Sequence, residues 1–133
     1  MMELVPRLML LLRRHSHAVL GQEMSFTSLR VLLQVNTHGP LCPGELAANM
    51  GVSRPAMTKI CQGLVRQGLI RKQKGNRDGR SHLLALNPSG QRRVDRFREE
   101  LQQRLSAQLE SQLSLPQRKR LDQALQTLQE IYP

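Results

Sequence analysis

The sequence contains very few aromatic residues. Phe26, Phe97 and Tyr132 are the only ones among 133 residues, and there is no Trp. Proteins that read single-stranded RNA or DNA usually stack the bases on exposed aromatic side chains. The scarcity of aromatic residues therefore argues against a single-strand-binding protein.

Cysteines and long apolar runs are also scarce. Cys42 and Cys61 are too few for the disulfide framework of a small secreted domain. The apolar run over residues 9–12 is far too short to span a bilayer, and no small-residue cleavage site follows it. These absences predict a reduced, cytoplasmic protein without a membrane segment.

Acidic residues are outnumbered by basic ones. The chain has 20 Lys and Arg against 10 Asp and Glu, so its formal net charge is +10. Such a balance is typical of proteins with a polyanionic partner, either nucleic acid or an anionic membrane surface, although it can also be a merely soluble basic surface. The sequence has no visible nucleophile–base pair and no phosphate-binding glycine loop, so we expect neither catalysis nor a cofactor.

The histidines do not form a metal-binding pattern. They are His15, His17, His38 and His82. His15 and His17 are a poor ligand pair on a helix, because residues two apart do not share a face. No Cys-x-x-Cys or His-Glu-x-x-His motif is present. We therefore predict ordinary surface or helix-end histidines and no metal.

Helical periodicity accounts for most of the chain. We predict six helices, which begin at Leu4, after the N-cap Thr27, at Gly44, at Arg54 after the N-cap Ser53, at Pro88 after the N-cap Asn87, and after Ser114. The first helix, over 4–20, combines a wide apolar arc with several arginines. It could lie on a membrane surface, but we favour packing against the body of the protein or a second subunit.

The last two predicted helices carry apolar stripes too long for one small core to cover. The stripes are Val94, Phe97, Leu101, Leu105 and Leu109, then Leu121, Leu125, Leu128 and Ile131. Such stripes need a partner surface. We therefore predict a homodimer in which residues 1–20 and 91–133 form the dimerisation region.

Two segments alternate with the period of a β-strand, over 69–74 and 81–86. Between them, residues 75–79 read Gly-Asn-Arg-Asp-Gly, a dense turn signal. We predict a two-stranded hairpin with a basic tip.

The spacing of Ala47, Gly51 and Met57 is that of a helix-turn-helix. Two helices that cross closely need a small contact residue, which Ala47 supplies. The turn needs a positive φ angle, which Gly51 adopts at little cost, and Met57 can fill the crossing. The chain is thus predicted to be mainly α-helical with one small hairpin, a winged helix-turn-helix.

The second helix of this motif has a polar and basic outer face. We expect Ala56, Ile60 and Leu64 to face inward. The outer residues are Ser53, Arg54, Thr58, Lys59, Gln62 and Arg66. This face suits the major groove of DNA. A solvated amphipathic helix is the simpler interpretation, but the basic hairpin that follows favours DNA binding.

A set of short motifs resembles the multiple-antibiotic-resistance regulator (MarR) family. The motifs are Glu45-Leu46-Ala47, Val52-Ser53-Arg54-Pro55, Thr58-Lys59, Gly68-Leu69-Ile70, Asp78-Gly79-Arg80 and Leu86-Asn87-Pro88-Ser89-Gly90. The match covers about residues 27–90. The chain departs from the family at Cys42, where Ser or Thr usually caps the first motif helix, and at Asn87, where Thr is frequent.

The resemblance implies a single MarR-like domain over 1–133, with a DNA-binding core over 27–90. It implies a homodimer with two winged modules on a pseudo-palindromic site in double-stranded DNA, commonly a repressor released by a small molecule or by thiol oxidation. The expected DNA-binding residues are Ser53, Arg54, Pro55, Thr58, Lys59, Gln62, Arg66, Lys74, Arg77, Asp78 and Arg80. Among these, Arg77 and Arg80 would enter the minor groove, and Asp78 would steady an arginine.

Two alternatives concern function and redox chemistry. A winged helix can instead serve as a protein-interaction module without sequence-specific DNA binding. Cys42 is a candidate redox-responsive thiol, since aligned N–H groups at a helix N-terminus favour the reactive thiolate. The alternative for Cys42 is a small, buried apolar side chain.

Overall fold

The computed structural model describes residues 4–20, 24–75 and 82–131, with side chains from Leu10 onwards. The elements, in order along these residues, are α1 (Leu4–Leu20), α2 (Phe26–His38), α3 (Pro43–Met50), α4 (Arg54–Arg66), β1 (Ile70–Lys74), β2 (His82–Leu86), α5 (Pro88–Gln112) and α6 (Leu115–Ile131). This order confirms the predicted winged helix-turn-helix with flanking helices.

The predicted helix starts lie within one residue of the observed ones except at α2. The Oγ atom of Ser25 accepts a hydrogen bond from the N–H of Ser28 at 3.1 Å, so Ser25 is the N-cap of α2. The predicted cap Thr27 is wrong, because this earlier hydroxyl already satisfies a free N–H group of the first turn. At α4 the predicted cap Ser53 is confirmed, since its Oγ accepts from the N–H of Ala56.

The helix-turn-helix crossing has the predicted geometry. Gly51 ends α3 in the left-handed conformation, with φ 64° and ψ 33°. Ala47 and Met57 are 4% and 0% exposed and belong to the same core cluster. A small residue on α3 and a flexible thioether on α4 thus let the two helices approach closely.

The hairpin is antiparallel, and Ile70 pairs with Leu86 at its base. Leu41, just before α3, forms an isolated bridge with Leu84, donating its N–H and accepting one in return at 3.2 and 2.8 Å. Ile70 and Leu84 are each 1% exposed, so the base of the hairpin is part of the core. Strand β1 therefore starts within the core, shortly after the end of α4.

Two clusters of buried side chains hold α1 to α5 and the hairpin together. The larger cluster joins α2, α3, α4, the hairpin and α5 through residues such as Leu32, Leu46, Leu64 and Val94. The smaller one joins the end of α1 to α2 and α5 through Leu20, Leu29 and Phe97. The hydrophobic effect thus fixes the winged module on α5.

The terminal helices are less covered. The predicted stripe of α5 is buried at its start and reaches 36% exposure at Leu109. No residue of α6, all of which the structure describes, is buried. Leu115, Leu125, Leu128 and Ile131 are 59%, 49%, 51% and 61% exposed. One chain therefore leaves a large apolar surface on α6 in contact with solvent.

Candidate nucleic-acid interface

The exposed face of α4 carries every residue predicted for it. Ser53, Arg54, Pro55, Thr58, Lys59, Gln62 and Arg66 are all exposed. The predicted inward face is partly wrong. Ala56 is exposed and Ile60 only half-buried, whereas Met57, Cys61 and Leu64 are buried.

The error has a simple geometric cause. Met57, Cys61 and Leu64 follow the spacing of four and three that keeps side chains on one helix face. Ala56 precedes Met57 by one residue, which rotates it by about 100°. Because alanine is small and apolar, the sequence alone gave no reason to predict that Ala56 is exposed.

The hydroxyl of Thr58 is already engaged within α4. Its Oγ1 donates to the backbone carbonyl of Arg54 at 2.9 Å. A hydroxyl that donates in this way still has lone pairs that accept. On this exposed face Thr58 can therefore accept a hydrogen bond from a donor such as a base amino group.

Strand β1 continues the positive charge of α4. Lys74, predicted as a site residue, is exposed and pairs with His82 across the hairpin. Lys72 lies two residues earlier on the same face of the strand and is also exposed. Neither α4 nor β1 contains an acidic residue. Together they form a surface of one sign.

Lys72 is a further candidate site residue, which the sequence prediction did not include. Burial raises the pKa of the Cys61 thiol, while a backbone hydrogen bond and the positive charge of Lys72 act in the opposite direction. The signal that could have identified Lys72 is its spacing of two residues from Lys74, which places both lysines on the same face of β1.

Three predicted site residues lie outside the described part of the chain. They are Arg77, Asp78 and Arg80, at the predicted tip of the hairpin. Their roles stay predictions.

Cys42 occupies the N-cap of α3. Its Sγ accepts from the N–H of Glu45 at 3.4 Å, and its own N–H donates to Oε2 of Glu45 at 2.8 Å. This capping box holds the pKa of Glu45 below its ordinary value, chiefly because the Cys42 backbone N–H donates to the carboxylate. The thiol thus replaces the hydroxyl usual at such a cap.

Within the described residues, no group of three or more His, Cys, Asp or Glu side chains could hold a metal ion. His15 instead joins α1 to α5, with Nε2 2.6 Å from Oε1 of Gln108. The ring of His17 stacks on Phe26 at a centroid distance of 6.0 Å. Over the same part of the chain, no helix is long and apolar enough to cross a membrane.

The fold and the basic face beside the hairpin define a winged helix-turn-helix protein. The family model of the MarR family matches residues 22–81. A comparison with curated proteins found no match. The match, which covers less than half of the chain, agrees with the resemblance, and over these residues the chain is similar to the MarR family.

Solved structures share the fold over nearly the whole chain. RV1404 from Mycobacterium tuberculosis is 26% identical, with a TM-score of 0.78, and the match covers 96% of this chain and 86% of that one. A MarR family protein from Bacillus stearothermophilus is 20% identical, with a TM-score of 0.81 and coverage of 98% and 92%. A mutant of S. aureus MepR bound to an oligodeoxyribonucleotide is 19% identical, with a TM-score of 0.71 and coverage of 98% and 96%.

Proposed function

We propose that this chain represses transcription by binding, as a homodimer, a pseudo-palindromic site in double-stranded DNA. The observation that carries the proposal is the exposed face of α4, where cations and hydrogen-bonding side chains alternate without any acidic residue. Arginine, lysine and glutamine are among the side chains that read base edges in the major groove. The structure of a MepR mutant with an oligodeoxyribonucleotide supports it by likeness.

In the proposed complex α4 enters the major groove. Arg54, at the start of the helix, and Lys59, one turn further on, would reach base edges or phosphates, because recognition helices contact bases with their N-terminal residues. Lys72 and Lys74 would neutralise phosphates along the wing. Arg77 and Arg80 would enter the neighbouring minor groove, where narrow A·T tracts attract arginine.

The test uses a duplex selected from a random pool by the wild-type protein. Arg54→Ala should weaken binding to this duplex by about 1–3 kcal/mol, if Arg54 reaches a base edge, and relax the preference at particular base pairs. Arg77→Ala should weaken all duplexes and flatten the salt dependence by about one counterion.

Arg104→Ala is the matched control, because it removes the same charge from an exposed position on the second half of α5. It should leave binding nearly unchanged. If Arg54→Ala, Arg77→Ala and Arg80→Ala all bind like the wild type at physiological salt, this docking is wrong. If the protein selects no duplex at all, an interaction module without sequence-specific DNA binding replaces the proposal.

The homodimer is proposed from the exposed surface of the terminal helices. A groove between α5 and α6 is lined by Leu109, Leu121 and Leu125, next to the exposed Leu128 and Ile131. Large exposed apolar patches mark interaction surfaces, and a two-fold DNA site requires a two-fold protein. Sedimentation at micromolar concentration should give twice the chain mass, whereas a monomer that still binds one DNA site tightly would contradict the dimer.

Release from DNA is proposed to follow a small-molecule or redox signal. Cys42 is the candidate thiol, since it is only half-buried and its Sγ caps α3, whereas Cys61 is 4% exposed. Mild peroxide should weaken DNA binding by the wild type. It should leave binding by Cys42→Ser unchanged, because that variant keeps a capping hydroxyl but has no thiol at this position to oxidise. Equal responses of the two proteins would remove Cys42 from the mechanism. We propose that the protein acts in the cytoplasm, where a regulator of transcription would meet its DNA.

A further inference from the structure

The turn between α4 and β1 is held by the residues that begin α5. The carbonyl oxygen of Gly68 accepts two hydrogen bonds, from Nδ2 of Asn87 at 2.9 Å and from Oγ of Ser89 at 2.6 Å. The neighbouring carbonyl of Leu69 accepts the backbone N–H of Asn87 at 3.0 Å. The peptide groups that directly follow α4 are therefore tied to the end of the hairpin.

Arg71, on β1, adds two hydrogen bonds to the same contact. Its Nη1 donates to the backbone carbonyl of Leu86 at 2.5 Å and to Oδ1 of Asn87 at 3.3 Å. We call Gly68, Leu69, Arg71, Asn87 and Ser89 the wing-base junction. Through it the end of α4, the first residues of β1, the last of β2 and the start of α5 share one set of hydrogen bonds.

Asn87 has this role instead of the predicted one. It occupies the N-cap position of α5, but its side chain, which the structure describes, makes no capping hydrogen bond. Asn is among the best N-cap residues, and a cap contributes about 1 kcal/mol. The side chain gives up that contribution and binds the turn after α4 with its amide group and Arg71 with its oxygen.

We propose that Arg71 and Asn87 are positioning residues that set the angle between α4 and the wing, and thereby the sequence selectivity of the protein, without contacting DNA themselves. The inference rests on the proposed function, because it assumes that α4 and the wing occupy adjacent grooves. Sequence discrimination requires side chains to meet base edges within a narrow geometry, so a change in this angle weakens selective binding more than non-selective binding.

Arg71 would otherwise be taken for one more phosphate contact, like its neighbours Lys72 and Lys74. The two roles predict different behaviour. A phosphate contact contributes to every duplex and to the salt dependence of binding. A positioning residue contributes to the ratio between a selected and an unselected duplex, and a lysine in its place keeps the charge but not the planar, forked donor.

The experiment measures binding to a duplex selected from a random pool by the wild-type protein and to a scrambled duplex of the same composition. Arg71→Lys should bind the selected duplex about tenfold more weakly, as expected when a charge-assisted hydrogen bond is lost, and the scrambled duplex almost unchanged. Its salt dependence should equal that of the wild type. Asn87→Ala should reduce the same ratio, because it removes the two hydrogen bonds that the Asn87 side chain makes with Gly68 and Arg71.

Lys74→Ala is the control on the same strand. It should weaken both duplexes alike and flatten the salt dependence by about one counterion. The inference is overturned if Arg71→Lys preserves the ratio between the duplexes, whether binding to both is unchanged or equally weakened. Should Asn87→Ala be unfolded at the assay temperature, Arg71→Lys decides alone, because its side chain is exposed. A wild-type protein that selects no duplex contradicts the proposed function instead.

Discussion

Gly90 allows α5 to begin against the turn that follows α4. A Cβ atom built at Gly90 would lie 2.1 Å from the carbonyl oxygen of Leu69 and 3.1 Å from Cδ2 of Leu86. The first contact is with backbone that the junction already holds, so it cannot move aside cheaply. The glycine of the Leu-x-x-x-Gly motif is therefore explained by close approach alone.

Replacing Gly90 with Ala should destabilise the protein by about 3 kcal/mol, because the added methyl group overpacks a rigid site. Gly63→Ala is the control. Gly63 lies inside α4 with nothing within 4 Å of its Cβ position. There alanine should raise the free energy of unfolding by about 0.5–1 kcal/mol through helix propensity. Urea denaturation measures both changes, and equal stabilities of the two variants would contradict this account of Gly90.

The capping box of α3 makes stability depend on pH. The pKa of Glu45 is lowered from its ordinary value of 4.5, chiefly by the N–H of Cys42. The stabilisation is therefore complete above about pH 4.5 and is lost as the pH falls through the lower pKa of the folded state. Glu45→Gln keeps an acceptor for that N–H but does not titrate, so its melting temperature should fall less between pH 5 and 3. Parallel profiles for the two proteins would rule out this contribution.

At the scale of the element, periodicity predicted which segments are helical better than it predicted their faces. The bounds of α1 and the start of α4 came directly from apolar spacing and from Ser53. Two of the three predicted inward residues of α4, Ala56 and Ile60, were placed one residue too early, whereas Leu64 was predicted correctly. Cys61 was weighed as a thiol and Ala56 as an apolar residue, whereas Cys61 fills the space beside Met57 and Leu64.

The corrected face of α4 predicts unequal effects for two neighbouring residues. Met57→Ala should lower the free energy of unfolding by about 2–5 kcal/mol, since Met57 is 0% exposed and leaves a cavity. Ala56→Ser should change it by no more than about 0.5 kcal/mol, because Ala56 is exposed. Chemical denaturation distinguishes the two, and a large loss for Ala56→Ser would restore the original face.

Contacts between segments distant in sequence lay beyond reach of the pattern. The two strands of the hairpin were predicted from their alternation. The bridge from Leu84 to Leu41 was not, because alternation does not identify a third pairing partner. Asn87 was expected to cap α5, and only the fold brings Gly68, 19 residues earlier, within reach of its amide. A side chain with two available partners cannot be assigned from local sequence. The basic face of α4 was predictable because one helix carries all of it.

At the scale of the whole molecule, the chain has two distinct surfaces, a basic one on α4 and β1 and an apolar one on α6. The acid-free face of α4 and β1 suits a polyanion, while α6 exposes leucines that water solvates poorly. Leu121, Leu125 and Leu128 follow the helical spacing of one face, and Gln123 lies on the opposite one. If a second copy covers the leucine face, each substitution there enters the interface twice.

Leu128→Asp should therefore disrupt the proposed dimer, because a carboxylate would be buried without a partner on both sides of a two-fold axis. We expect the dimer dissociation constant to rise by at least about 100-fold, which sedimentation equilibrium measures. Gln123→Asp adds the same charge on the opposite face and should leave the dimer intact.

Loss of the dimer should also lower the affinity for a duplex with two half-sites towards that for one half-site, since the second contact is no longer intramolecular. If both variants sediment as dimers, α6 does not form the interface. If Leu128→Asp is monomeric yet binds the two-half-site duplex as tightly as the wild type, the two-fold recognition proposed for this protein is wrong.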